Sequence, residues 1–272
     1  MNSNSILNKI KIYGISPKKF YGQNFILDEN ILKKIVERSN INEKINILEI
    51  GPGPGGLTHE ILKSNVNQVF VIEKDKDLLP FLEDIKKLFP NKLNIILEDA
   101  LCFDIKKLNN NPFKIISNLP YNISTILLIK WLTTDICNTS CMSLTLMFQK
   151  EVAERIVAKK GSSKRSRISI ISELYTNPKI VLNVSPGSFL PRPKVNSALV
   201  YFEILKKPRF NHNQLRLKLI IDSAFNQKRK MVRSSLKKVF PNVELALKKV
   251  GIEKTERPQS IELKSFCDLS LI

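Results

Sequence analysis

Five short apolar runs, separated by stretches with helical spacing, constrain the fold of this chain more than any other feature. Residues 45–50, 69–72, 93–97, 114–117 and 143–148 are near-continuous Ile, Val, Leu and Phe rather than apolar and polar in alternation. A strand covered on both faces gives that pattern, whereas a strand with one wet face alternates. Residues 57–63, 78–88 and 123–132 carry apolar side chains at helical spacing. Ahead of them, Asp28 offers an N-cap to a helix with Ile31, Leu32, Ile35 and Val36 on one side. Strand and helix in repeated order predict a parallel sheet with helices on both faces. Residues 181–184 and 198–204 read as two later strands, a pair able to close the sheet as a hairpin. From about Lys206 only helical spacing remains, in 215–225 and 243–250, punctuated by Pro208, Pro241 and Pro258. The expectation is α/β: a Rossmann-like sheet domain over 1–205 and a small helical domain over 206–272.

Sheets of this kind bind ligands beyond the carboxyl ends of their strands. The first run passes into Glu49-Ile50-Gly51-Pro52-Gly53-Pro54-Gly55-Gly56-Leu57-Thr58. Glycines there let the chain turn tightly and let a ligand approach the backbone at a helix N-terminus. The spacing of Gly51, Gly53 and Gly56 also fits the dinucleotide fingerprint. The loop alone therefore leaves a nicotinamide nucleotide and S-adenosylmethionine both open. Glu73 ends the second run, 22 residues past Gly51, where it would hold ribose hydroxyls in either case.

Two later loops separate the readings. Glu98-Asp99 closes the third run, where a carboxylate can accept from an adenine amine. Asn118-Leu119-Pro120-Tyr121 closes the fourth. An Asn oxygen and a neighbouring main-chain carbonyl can accept the two hydrogens of an exocyclic amine, the Pro fixes the loop, and the Tyr ring can stack on the base. A helix-entry turn is the plainer reading of Asn-x-Pro. A hydride-transfer enzyme has no use for the tetrad, which favours methyl transfer to a base amine.

Charge points the same way. Lys and Arg number 44 against 25 Asp and Glu, a net +19, and such an excess suits a polyanionic partner, most simply nucleic acid. The densest clusters are 159–167 and 228–233. Cys102, Cys137, Cys141 and Cys267 form no CxxC pair, and His59 and His212 are the sole histidines. That argues against structural zinc and for buried, reduced thiols. His59 reads as a surface or packing residue rather than a catalyst. No apolar stretch approaches the roughly 20 residues of a membrane span, and the start lacks a secretory pattern. A soluble, cytoplasmic monomer with no metal is expected.

Six motifs then resemble, in order, those of the ribosomal-RNA adenine dimethyltransferase family across nearly the whole chain. They are Phe20-Tyr21-Gly22-Gln23-Asn24-Phe25, the Glu49 to Gly53 stretch, Asn118-Leu119-Pro120-Tyr121, Phe189-Leu190-Pro191-Arg192-Pro193-Lys194-Val195-Asn196-Ser197, Phe225-Asn226-Gln227-Lys228-Arg229-Lys230 and Arg257-Pro258-Gln259-Ser260. Pro54 and Gly55-Gly56 vary the cofactor loop. The resemblance implies an S-adenosylmethionine-dependent methyltransferase sheet with a helical RNA-recognition domain. The substrate it implies is two adjacent adenosines in a 3′ hairpin of small-subunit rRNA, met in the immature subunit. A sister branch acts on large-subunit rRNA and confers macrolide resistance; a non-catalytic RNA-binding or transcription-factor relative is the third possibility. By the resemblance, Asn24 and Ile26 cover the cofactor, Gly51 packs on its methionine end, Glu73 holds the ribose and Asp99 the adenine amine. Asn118 lies near the sulfonium and, with the Pro120 carbonyl, takes the target amine's hydrogens. Tyr121 and Phe189 stack on the two faces of the target base, and Leu119 completes the catalytic loop.

Overall fold

The computed structural model describes residues 10, 12–41, 44–108, 111–135 and 139–272. Cys137 lies outside them. Contacts divide the chain into two units, Met1–Ala153 with Lys179–Ile204, and Glu154–Pro178 with Leu205–Ile272.

In the first unit a short β1 (Phe25–Ile26) leads into α1 (Glu29–Arg38), and Asp28 caps that helix by accepting from the Asn30 and Ile31 amides. The chain then alternates: β2 (Asn46–Ile50), α2 (Gly56–Leu62), β3 (Val69–Glu73), α3 (Leu79–Leu88), β4 (Leu93–Leu97), β5 (Phe113–Ser117), α4 (Ser124–Lys130) and β6 (Cys141–Gln149). After α5 (Lys150–Ile156) and α6 (Arg167–Tyr175) come β7 (Thr176–Val184), β8 (Phe189–Leu190) and β9 (Ser197–Ile204). Seven strands form one sheet in the order β4-β3-β2-β5-β6-β9-β7. Pairing from β4 through β6 is parallel, with Leu48 facing Phe70 on one side and Ile115 on the other. β9 runs antiparallel to β6 and neighbours β7, so the two late strands do close the sheet side by side. Every residue of β2 and β5 is buried, the physical basis of their largely apolar, non-alternating runs.

The strand order reverses between β2 and β5. The chain builds outward from β2 to β4, then returns to lay β5 on the other side of β2, and a crevice opens at the carboxyl ends where successive connections part. A second, two-stranded ribbon pairs Phe25 with Leu190 and Ile26 with Phe189.

The second unit is helical. It holds α6, α7 (Gln214–Asn226), α8 (Val232–Ser235), α9 (Val243–Lys249) and α10 (Leu263–Leu269). Leu217, Ile220, Ile221 and Ala224 make the buried stripe of α7, and Phe225 meets Phe266 of α10 at 5.9 Å between ring centroids. The unit takes in Glu154–Pro178, which sequence placed with the sheet, because α6 buries Ile168, Ile170 and Leu174 and packs on α7 and α10. At its centre Arg165 is fully buried, donating to the Ile261 carbonyl (3.0 Å) and Glu173 (3.2 Å). Arg165 is thus a clamp, and the expectation that the whole 159–167 cluster faces a polyanion is corrected there. Lys160 and Lys164 pair with Glu262 and Glu154, each at 2.6 Å, and Arg167 with Asp222 at 3.1 Å. Lys228, Arg229 and Lys230 are exposed, and the Lys228 ammonium reaches the Ser163 carbonyl at 3.4 Å, which joins the two clusters into one surface.

Cys141 and Cys267 are buried free thiols, but Cys102 is exposed, in the turn after β4, contrary to the expectation for it. No helix among the described residues is long and apolar enough to cross a membrane.

Candidate active site

Four loops at the carboxyl ends of β2, β3, β4 and β5, together with the segment before β1, enclose a cavity of about 270 Å³. Its wall includes Asn24, Ile26, Gly51, Glu73, Asp99, Asn118, Leu119 and Pro120. Sequence reasoning had assigned all eight.

Gly51 has φ +62°, a left-handed conformation that favours glycine. A Cβ there would lie 3.4 Å from the Pro120 ring, so the loops after β2 and β5 touch. At Gly53 (φ +59°) a Cβ would come within 2.8 Å of the Phe25 ring, so the missing side chain is what seats Phe25.

Three of the carboxylates round the cavity stand in different states. Glu73 is buried; its Oε1 accepts from the Lys74 and Asp75 amides, both at 2.8 Å, and its Oε2 from the Gly53 amide at 3.3 Å. Burial raises its pKa, and the backbone donors partly oppose the rise. Glu49, next to last in β2, accepts from the Thr58 hydroxyl at 2.6 Å. Burial, helped by nearby Glu73 and opposed by Thr58, pushes its pKa up to about 8. Asp99 accepts from the Leu101 amide at 2.9 Å and from the Lys74 ammonium at 2.7 Å, and Lys74 foremost holds its pKa low. Sequence reasoning gave neither Glu49 nor Lys74 a role. An acidic residue between Leu48 and Ile50 in a buried strand was the available signal for Glu49.

The Asn118 amide has one end fixed and one end open. Its Nδ2 donates to the Asn24 carbonyl at 2.8 Å, while Oδ1 is buried with no partner among the described residues. A carbonyl can face only the NH2 end, so the acceptor end is the one left over. The Pro120 carbonyl, by contrast, already accepts from the Ile123 and Ser124 amides at 3.1 Å as α4 begins. It is a helix-entry acceptor, which corrects the role expected for it. The Tyr121 hydroxyl is held by Ser197 Oγ at 2.5 Å, and burial raises its pKa. Phe189 is 5% exposed and packs in the apolar cluster of the first unit, paired with Ile26 through the ribbon. Neither ring lines the cavity. His59 is buried against Phe89 at 5.6 Å, the packing residue of the two readings open for it.

The donor set suits S-adenosylmethionine. A buried carboxylate after β3 matches vicinal hydroxyls, Asp99 after β4 matches an adenine amine, and the glycine cradle leaves room for a chain to lie on backbone. Sheet topology and site together define the class of Rossmann-like S-adenosylmethionine-dependent methyltransferases. Comparison with known proteins narrows it: the model of the family described as ribosomal RNA adenine dimethylase matches residues 14–272, and the chain belongs to that family. The chain is 44% identical over 261 residues to a ribosomal RNA small subunit methyltransferase A of Cereibacter sphaeroides, covering 96% of this chain and 94% of the relative. The protein of that name from Jannaschia sp. is 41% identical over 263 residues, 97% of this chain and 91% of the relative. Among solved structures, a dimethyladenosine transferase from Plasmodium falciparum superposes with TM-score 0.77 at 25% identity, covering 91% of this chain and 96% of that one. The 23S rRNA methyltransferase ErmE superposes with TM-score 0.67 at 21% identity, covering 91% and 98%. S-Adenosylmethionine is the methyl donor of this chain.

Proposed function

We propose that the chain dimethylates the exocyclic amines of two adjacent adenosines in a 3′-terminal hairpin of small-subunit rRNA, acting on the immature subunit. The naming of the relatives supports the choice of subunit. The observation that carries the chemistry is the buried Asn118 Oδ1 without a donor. Such an acceptor costs the folded chain about 1–3 kcal/mol unless a ligand supplies the missing N–H.

S-Adenosylmethionine, when bound, supplies an electrophilic methyl group on a sulfonium. Glu73 would hold its ribose hydroxyls, and Asp99, sharing its carboxylate with Lys74, its adenine amine. Asn24, Ile26 and Gly51 would enclose the remainder. An adenine amine is a poor nucleophile because its lone pair is delocalised into the ring. Asn118 Oδ1 would accept one amine hydrogen. The Leu119 carbonyl, with no N–H donor among the described residues, would accept the other in place of Pro120. Holding both hydrogens favours a pyramidal nitrogen with its lone pair aimed at the methyl carbon. With the amine so held, the sulfonium would give up its methyl group to the nitrogen, leaving a neutral thioether, and the methylated nitrogen, acidic once alkylated, would lose its proton to water. Positioning and electrostatics carry the rate, with no strong base.

Tyr121, steadied by Ser197, would stack on the unpaired base. Phe189 would act at a remove, by fixing Ile26 through the ribbon. The helical unit, with Lys228, Arg229 and Lys230 outermost, would bind RNA phosphates. One chain supplies every loop of the cavity, as a monomer requires, and an immature ribosomal subunit would be met in the cytoplasm. The test is methyl transfer from labelled cofactor to isolated, unmethylated small-subunit particles, with the modified base mapped. Small-subunit particles left unlabelled, while large-subunit particles assayed beside them take up label, would overturn the reading. In calorimetry, Glu73→Ala and Asp99→Ala should each weaken cofactor binding by about 1–3 kcal/mol; unchanged binding in both would overturn the cofactor assignment.

A further inference from the structure

The segment before β1 is tied down beside the cofactor loops by one buried carboxylate. Lys18 Nζ donates to Asp75 Oδ1 and Asp77 Oδ2, both at 2.7 Å. Gln23 Nε2 donates to Asp75 Oδ2 at 2.9 Å, and the Lys18 amide donates to Gln23 Oε1 at 2.8 Å. Asp75 is only 4% exposed, and its amide donates to Glu73 Oε1. The residue after Gln23 is Asn24, whose carbonyl receives the Asn118 amide. On the other side of Asn24, Phe25 seats against Gly53. Asn24 is thus bracketed by two anchors, and an unbroken path of hydrogen bonds and one peptide link joins Glu73, Asp75, Gln23, Asn24 and Asn118.

The geometry points to Asp75 and Gln23 as positioning residues for methyl transfer, setting the Asn24 carbonyl so that it holds the Asn118 amide with Oδ1 toward the incoming amine. The inference rests on the reading of Asn118 given above. The two ends of a side-chain amide are nearly the same shape, and its terminal torsion is broad and roughly two-fold. Only a fixed hydrogen-bond partner decides which end faces a ligand. Flipped, the amide would present two N–H donors to an amine that is itself a donor. A charged acceptor suits the anchor, because hydrogen bonds to an ionised group are shorter and stronger than neutral ones. The Lys18 pairing is half-exposed and worth little by itself. The hold therefore falls on the pairing of Gln23 with Asp75. The same turn fixes Glu73 and so links the ribose site to the amine site.

The test is the single-turnover methylation rate of the full chain on small-subunit particles. Gln23→Leu keeps side-chain size and removes the amide; Asp75→Asn keeps shape and removes the charge. Each should slow the single turnover about tenfold while binding of particle and cofactor stays within about threefold. A structural weakening alone would not survive the second step. In an Asn118→Ala background, with sensitivity from labelled cofactor, Gln23→Leu should slow nothing further, because the group it acts through is gone. Equal fold losses in both backgrounds, or no loss from Gln23→Leu when Asn118 is intact, would overturn the proposal. A fully active Asn118→Ala variant would reject the reading of Asn118 instead. If Asp75→Asn fails to fold, Gln23→Leu decides alone.

Discussion

Replacing Asn118 by Ala should move activity and stability in different directions. In the folded chain the Asn118 amide makes one hydrogen bond, to the Asn24 carbonyl at 2.8 Å, and leaves Oδ1 buried and unmatched. Losing the bond costs about 1 kcal/mol, while deleting an acceptor that folding strips of water returns about 1–3 kcal/mol. The balance lies between neutral and about 2 kcal/mol in favour of the variant. At roughly 2–4 °C per kcal/mol for a chain of this size, the melting temperature should hold or rise by a few degrees. Catalysis should fall steeply. A positioned group aimed at charge developing in the transition state is worth about 10²–10³ in kcat, or roughly 2.7–4 kcal/mol. Single-turnover methylation of unmethylated particles and a thermal melt of the same preparation give both numbers. Full activity in the variant would refute the catalytic role. A drop of several degrees in melting temperature would refute the energetic reasoning, since Oδ1 would then be satisfied in the folded chain.

Three further outcomes follow from charges and their surroundings. Glu49, with its pKa near 8 against an ordinary 4.5, keeps a proton in the folded chain that the unfolded chain releases between those values. Its share of stability is therefore full below about 4.5 and is lost as pH rises toward 8. Glu49→Gln, which still accepts from Thr58, should melt higher than the parent at pH 8 and match it at pH 5; parallel pH profiles would count against this. Arg165→Met should destabilise the helical unit by about 2–4 kcal/mol in urea unfolding, by leaving the Ile261 carbonyl and Glu173 without their donor, and Arg165→Lys should recover little because it lacks the fork. Neutralising Lys228, Arg229 and Lys230 together should flatten the plot of log affinity for the particle against log salt by about 2–3 and leave cofactor binding alone. A flat plot in the parent would mark its basic excess as compositional.

The sheet and the cavity floor were legible in sequence because parallel strands buried on both faces leave near-continuous apolar runs, and four of the five runs lead into a candidate site residue. Gly51, Glu73, Asp99 and Asn118 were placed by counting to strand ends. What stayed hidden has no periodicity. β1 and β8 are two residues long, so nothing announced that Ile26 and Phe189 would pair. The membership of α6 in the helical unit depends on which apolar stripe it meets, a fact of tertiary packing. Spacing likewise could not show that the Pro120 carbonyl serves the start of α4, that Lys74 shares Asp99, or that Arg165, within a basic cluster, points inward. Sequence shows a charge; only packing shows what lies beside it.

The division of the helical unit between two stretches of chain bears on how the protein is made. During synthesis α6 emerges with Ile168, Ile170 and Leu174 uncovered, and its partners α7 and α10 are translated only after the rest of the sheet. At about 5–20 residues per second, its apolar face stands open for several seconds. A protein shortened at residue 205 would leave it open permanently, so the sheet unit cannot be obtained in clean form by cutting there. Residues 154–178 would have to be looped out as well.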